Sequence, residues 1–187
     1  MRTYAREAKV ALAAVQSASR AALSLQREIA VTKAAFQKED ASDGGHGVLS
    51  PVTVADFLVQ VCILGALANA FPSDRFIAEE TGSELLAAGG ATRSAVMDAV
   101  AAHAPTPAMR AMREADALAA LDLGKTGCVD GWSRTGRTWV LDPVDGTKGF
   151  LRGDQFAIAL SLLEGGQPQL GLLGCPNLGH SGTSAKR

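Results

Sequence analysis

The chain has 187 residues and a mass of 19.3 kDa, enough for one domain with a sizeable core or one large part of a bigger one. Its 18 Lys and Arg against 19 Asp and Glu leave a net charge of −1, which excludes a polybasic nucleic-acid binder and an acidic tail protein. With 47% apolar residues it is no disordered chain, no apolar run is long enough for a bilayer, and three cysteines without a C-x-x-C argue against a disulfide scaffold or thiolate zinc site and for a reducing compartment.

From about Thr3 to Ala35, the residues Ala8, Leu12, Val15, Ala22, Leu25 and Ile29 recur at helical spacing and predict a long first helix. Its arginines and alanines could pass for a transit peptide, but Glu7, Glu28 and the apolar spacing favour structure. The polar stretch Gln37–Gly47 reads as a mobile surface loop. After Ser50-Pro51-Val52-Thr53, the spacing of Phe57, Val61, Leu64, Ala68 and Phe71 predicts a second helix with one buried face, ended by Pro72. Arg75–Ala78 reads as a short strand closing on Glu79-Glu80, and weaker helices follow around Thr92–Ala102 and Pro107–Leu121. Gly124–Arg137 is loop-like, and Thr138–Leu141 reads as a strand. Phe156–Leu163 alternates large and small residues as a strand does, Gly165-Gly166 signals a hairpin, and Gln169–Gly174 is the return strand. The tail 179–187 is small and polar and is expected to be disordered. Helices first and a hairpin last predict α+β layers rather than a doubly wound sheet.

Three acidic motifs carry the chemistry. Asp142-Pro143-Val144-Asp145-Gly146-Thr147 follows the apolar Trp139-Val140-Leu141. Two carboxylates beside a glycine suit a hard cation such as Mg2+ and a phosphate held by backbone amides; a plain turn between surface strands is the competing reading. Glu79-Glu80 ends an apolar strand, and either adds an oxygen ligand or opens a solvated loop. Thr53 and Asp56 have the spacing of a helix-opening capping box, which explains Asp56 without catalysis; alternatively Asp56 faces the metal site and accepts a proton from an attacking water. His46, His103 and His180 have no ligand spacing, and Cys62 reads as packing. Neither a Walker loop nor a Gly-x-Ser-x-Gly elbow is present in the sequence.

In this order, Ser-Pro-Val-Thr-x-x-Asp, Glu-Glu after a strand and Asp-Pro-x-Asp-Gly-Thr resemble the inositol monophosphatase superfamily of Mg2+-dependent, lithium-sensitive phosphatases. The run Gly136–Gly153, with Lys148-Gly149-Phe150 after Gly-Thr, and Gly174-Cys175-Pro176-Asn177 look like its 3′(2′),5′-bisphosphate nucleotidase branch. The resemblance implies a layered α/β sandwich like that of inositol monophosphatase and fructose-bisphosphatase. It implies Glu79, Asp142, Asp145 and the Val144 carbonyl as Mg2+ ligands, Asp142 bridging two ions. Asp56 and Thr147 would activate the water, and the Gly146 and Thr147 amides would hold the phosphate. The implied substrate is 3′-phosphoadenosine 5′-phosphate, cleaved to AMP and phosphate; no nucleic acid or membrane partner is implied, and oligomeric state stays open.

Two departures qualify this. The family's later Trp-Asp motif is absent, and a family Lys-x-Asp is replaced by His46 and Val48. Residues 1–178 are therefore expected to form the N-terminal, metal-binding portion of such a domain, with the C-terminal half missing. The chain is expected either to be this phosphatase or to be a catalytically dead fragment acting by binding; an inositol polyphosphate 1-phosphatase is the further alternative. The compartment is expected to be the cytoplasm, with chloroplast or mitochondrion as alternatives.

Overall fold

Alanine and leucine at helical spacing produce helix α1 over Ala5–Phe36, in a computed structural model that describes residues 3–36, 51–127 and 136–178. The stretch Gln37–Gly47, with His46 and Val48, and the tail 179–187 lie outside the described residues. Helix α2 spans Pro51–Ala70, one residue short of the buried Phe71 and two short of Pro72. Its burial exceeds the predicted single face. Val54, Ala55, every residue from Phe57 to Leu64, and Leu67 are buried, because α2 is wrapped by α1, the sheet and later helices. A helix apolar on all sides is a core helix.

Strand β1 covers Arg75–Ala78. Then come α3 (Gly82–Ala87), α4 (Gly90–His103), α5 (Pro107–Arg110), α6 (Glu114–Asp122) and a 3-10 turn at Leu123–Lys125. The helix predicted over Pro107–Leu121 is thus two helices. Thr106 caps the first, its hydroxyl accepting from the Met109 amide at 3.2 Å. A second start signal lies at Arg113, whose amide donates to the Asp116 carboxylate at 3.1 Å. Helix α3 was not predicted, although Thr81 and Glu84 form its cap: the Glu84 amide donates to the Thr81 hydroxyl at 3.2 Å.

Strand β2 runs over Arg137–Asp145, α7 over Thr147–Arg152, β3 over Ala157–Glu164 and β4 over Gln167–Gly174. The sheet order is β1-β2-β3-β4; β1 and β2 are parallel, and the other pairs antiparallel. The α+β expectation therefore holds, with one parallel pair that the sequence pattern did not announce. Trp139 and Leu141 of β2 and Ile158, Leu160 and Leu162 of β3 face the helices and are buried. The opposite face, with Val140, Ala159 and Ser161, is half-exposed, and Leu173 on β4 is 72% exposed. Among the described residues no helix is long and apolar enough to cross a membrane.

A charged brace closes the start of β2. Arg137 donates to Glu7 of α1 and, at 2.8 Å and 3.2 Å, to Asp74 ahead of β1. The Trp139 indole donates to the same Asp74 oxygen at 2.9 Å, and its ring stacks on Phe71 at 5.9 Å. Only 15% of the Arg137 side chain is exposed. Removing the cation from such a site leaves a buried carboxylate without its guanidinium. Arg137→Ala is expected to destabilise the chain by about 3 kcal/mol, read from the urea midpoint; a change under about 0.5 kcal/mol would show that the brace contributes little.

Candidate active site

Parallel pairing brings two acidic residues to one end of β1 and β2. Ala78 ends β1 and pairs with Leu141; Glu79 follows it in a bend, and Asp142 follows Leu141 within β2. Paired residues of adjacent strands project to the same face of a sheet. Leu141 takes the core face, so Asp142 takes the opposite one and is exposed, as is Glu79.

Asp145 joins them through a bulge. On a regular strand, residues three apart point to opposite faces. Here Asp142 pairs with Ala159 and Asp145 with Ala157, so three steps on β2 match two on β3. The extra residue resets the alternation. Pro143 and Val144 are both buried, and Asp142 and Asp145 are both exposed. The Asp-Pro-Val-Asp segment is therefore strand, not the turn between strands that was the competing reading. Pro143, which has no N–H to give a ladder, sits where the ladder is interrupted.

Asp56 approaches from α2. The helix begins at Pro51, a residue suited to a first helical position, and no acid lies in its first turn. Asp56 is the sixth helical residue, beyond the reach of a cap, so the capping-box account of Asp56 does not hold. It is half-buried, and its proton affinity reports its neighbours. Burial first, then Glu80, Glu79 and Asp142, push its carboxyl up to about 8. Burial, then Glu79 and Glu84, push Glu80 up to about 7. Asp142 is raised by burial and by Asp145, while a hydrogen bond from the Val144 amide opposes the rise. Among the described residues, no Lys, Arg or His pairs with any of these acids.

Gly146 follows Asp145 with φ at 93°, a left-handed conformation that favours glycine, and turns the chain into α7 with Thr147 as its first residue. Gly149 packs so tightly that a methyl group there would collide with the Gln155 carbonyl oxygen. Glu80 has a further partner that the sequence did not signal. Both of its backbone polar groups bond to the side chain of Gln60, one turn beyond Asp56 on α2.

The acids brought together here offer carboxylate oxygens, with no sulfur or imidazole. That chemistry fits a hard divalent cation. Among the described residues no three His, Cys, Asp or Glu side chains close on one point. Mg2+ needs no such cage, since it binds through one or two carboxylates and keeps several waters.

The profile of the inositol monophosphatase family matches residues 6–187. A 3′(2′),5′-bisphosphate nucleotidase of Emericella nidulans is 37% identical over 161 residues, which cover 84% of this chain and 46% of that protein. A 3′(2′),5′-bisphosphate nucleotidase 1 of Candida albicans is 38% identical over 184 residues, covering 94% and 47%. A protein of the same name from Arabidopsis thaliana is 40% identical over 173 residues, covering 89% and 46%. The chain spans a little under half the length of these relatives.

The raised carboxyls set a pH dependence for the metal-free chain. An acid that holds its proton more tightly when folded stabilises the fold while protonated. That contribution is whole below the unfolded value near ~4 and fades as pH rises through about 7 for Glu80 and about 8 for Asp56. In EDTA, the melting temperature is expected to fall between pH 6 and pH ~8.5, and Asp56→Asn to flatten the fall and to melt higher than wild type at the upper pH. A profile unchanged by the substitution would contradict the crowding of these acids.

Proposed function

The chain belongs to the inositol monophosphatase family, and on that premise we propose that it carries the metal-binding part of a Mg2+-dependent phosphatase site acting on 3′-phosphoadenosine 5′-phosphate, with AMP and phosphate as products. The names of the relatives support a nucleoside bisphosphate as substrate. The observation that carries the reading is the bulge in β2, which turns Asp142 and Asp145 out together, with Asp142 within electrostatic reach of Asp56.

Glu79, Asp142, Asp145 and the Val144 carbonyl oxygen would hold Mg2+. When bound, the metal offsets phosphate charge and makes a nearby water more acidic. Asp56 takes the water proton on a carboxylate oxygen, and the Thr147 hydroxyl orients that water. The Gly146 and Thr147 amides would donate to phosphate oxygens, at the left-handed turn that only glycine adopts readily.

A second reading, a binding chain without turnover, draws on the open face of the sheet with its exposed Leu173. Phosphate release separates the two. With 3′-phosphoadenosine 5′-phosphate and Mg2+, the phosphatase reading expects turnover that EDTA abolishes and Asp142→Ala removes. Asp56→Asn is expected to slow it roughly 10²–10⁴-fold. Release unaffected by EDTA or by Asp142→Ala would end the metal mechanism; Mg2+ uptake by calorimetry without release would favour the binding chain.

A further inference from the structure

We propose that Gln60 is a positioning residue: it pins the Glu79–Glu80 segment against the helix that carries Asp56, and thereby sets how tightly the acid cluster binds a divalent cation. This inference rests on the metal-binding reading above.

Gln60 is 0% exposed, within a run of α2 residues that are otherwise apolar or cysteine. A primary amide in such a place must find partners for its donors and its acceptor, or lose stability relative to a leucine or methionine. It finds them mainly in one residue. Nε2 donates to the Glu80 carbonyl at 2.6 Å, and Oε1 accepts from the Glu80 amide at 2.9 Å. A bond from Nε2 to the Leu121 carbonyl is longer, at 3.4 Å. Capping the end of α6 is therefore the lesser part of its work.

The two Glu80 bonds have the form of a rung in a β-ladder. The pairing of β1 with β2 ends at Ala78 and Leu141. Two residues later the next fixed point comes from a side chain of α2 rather than from a strand. Glu79 lies between these points, so its backbone is held at both ends. One end is tied to the strand that carries Asp142 and Asp145, and the other to the helix that carries Asp56. Gln60 follows Asp56 by four positions, and such residues lie on one helix face. The same amide thus couples the three pieces of chain that supply the acids.

The packing leaves little room for this arrangement to shift. A Cβ at Gly124, in the 3-10 turn, would lie 3.0 Å from the Ala78 Cβ and 3.3 Å from the Gln60 Nε2. The turn presses on the clamp and on the end of β1 together. Pressure applied there should loosen the site without touching any acid.

The test uses the full 187-residue chain, with Mn2+ as the probe and free Mn2+ counted by electron paramagnetic resonance. Gln60→Met keeps length and volume and removes the hydrogen bonds. It is expected to weaken Mn2+ binding about 10-fold or more, as loss of a residue orienting metal ligands does. It is also expected to raise hydrogen exchange at the Glu80 amide. Thr92→Val is the control; it removes a buried hydroxyl bond to the Ala88 carbonyl, 2.7 Å long, on α4. It should lower the melting temperature and leave Mn2+ affinity unchanged. Gly124→Ala attacks the clamp from its other side and should weaken Mn2+ binding as well; it decides the matter if Gln60→Met does not fold. Wild-type Mn2+ affinity in a folded Gln60→Met, or a Glu80 amide still protected there, would overturn the positioning role while leaving the metal site standing. A wild-type chain that takes up no Mn2+ would overturn both.

Discussion

Carboxylates crowd together only when something else holds the chain in place. Glu80, Glu79 and Asp142 crowd Asp56, and Asp145 crowds Asp142. None of these acids gains a cation from the protein among the described residues. The opposing force comes from the other face of the same strands. Trp139, Leu141, Pro143 and Val144 are buried beside Phe76 of β1 and the apolar run of α2. Each acid sits next to a residue anchored in that core. Separating the acids would mean pulling anchors out of a close-packed interior, which costs more than the repulsion gains.

Strand β2 treats charge differently at its two ends. At its start, Arg137 is neutralised by Glu7 and Asp74, with Trp139 donating to the same carboxylate. At its finish, Asp142 and Asp145 stand together, and burial and then Asp145 raise the hold of Asp142 on its proton. Paired ions at one end make that end a fixed point. Unbalanced ions at the other make a site that favours any cation able to reach it. Fold stability and cation affinity thus occupy opposite ends of nine residues.

Much of the fold could be read from the residues alone, because helical spacing in 5–36 and strand alternation in 157–164 are local signals. The acids were legible for the same reason, as short motifs. What was missed is non-local. The bulge between Asp142 and Asp145 exists only in relation to Ala157 and Ala159, so a turn and a strand looked alike in sequence. The parallel pairing of β1 with β2 links segments about sixty residues apart. Asp56 looked like a cap because Thr53 precedes it at the right spacing, yet the helix had already begun at Pro51. Gln60 offered no signal at all: a glutamine in an apolar helix gains meaning only when Glu80 is seen beside it. The Thr81–Glu84 cap is legible as Thr-x-x-Glu directly after Glu79-Glu80, a spacing short enough to be local.

The stretch from Asp142 to Gly153 carries two kinds of polar group in one short segment. Its first part is strand and offers carboxylate oxygens; after Gly146 the chain turns through a left-handed residue and offers amides at the head of a six-residue helix. A helix that short is not stable by itself. It is held from below. Gln26 of α1, buried, donates to the carbonyls of Phe150 and Asp154 at 3.0 and 3.1 Å, and Asn177 donates to the Gln26 oxygen and to the Asp154 carbonyl at 2.8 and 2.7 Å. These amides satisfy carbonyls at the trailing end of the segment, as Gln60 satisfies the backbone of Glu80 at the end of β1. Two buried glutamines on two long helices thus do the same job at two places, each replacing a missing rung of secondary structure where the chain leaves the sheet to carry charge.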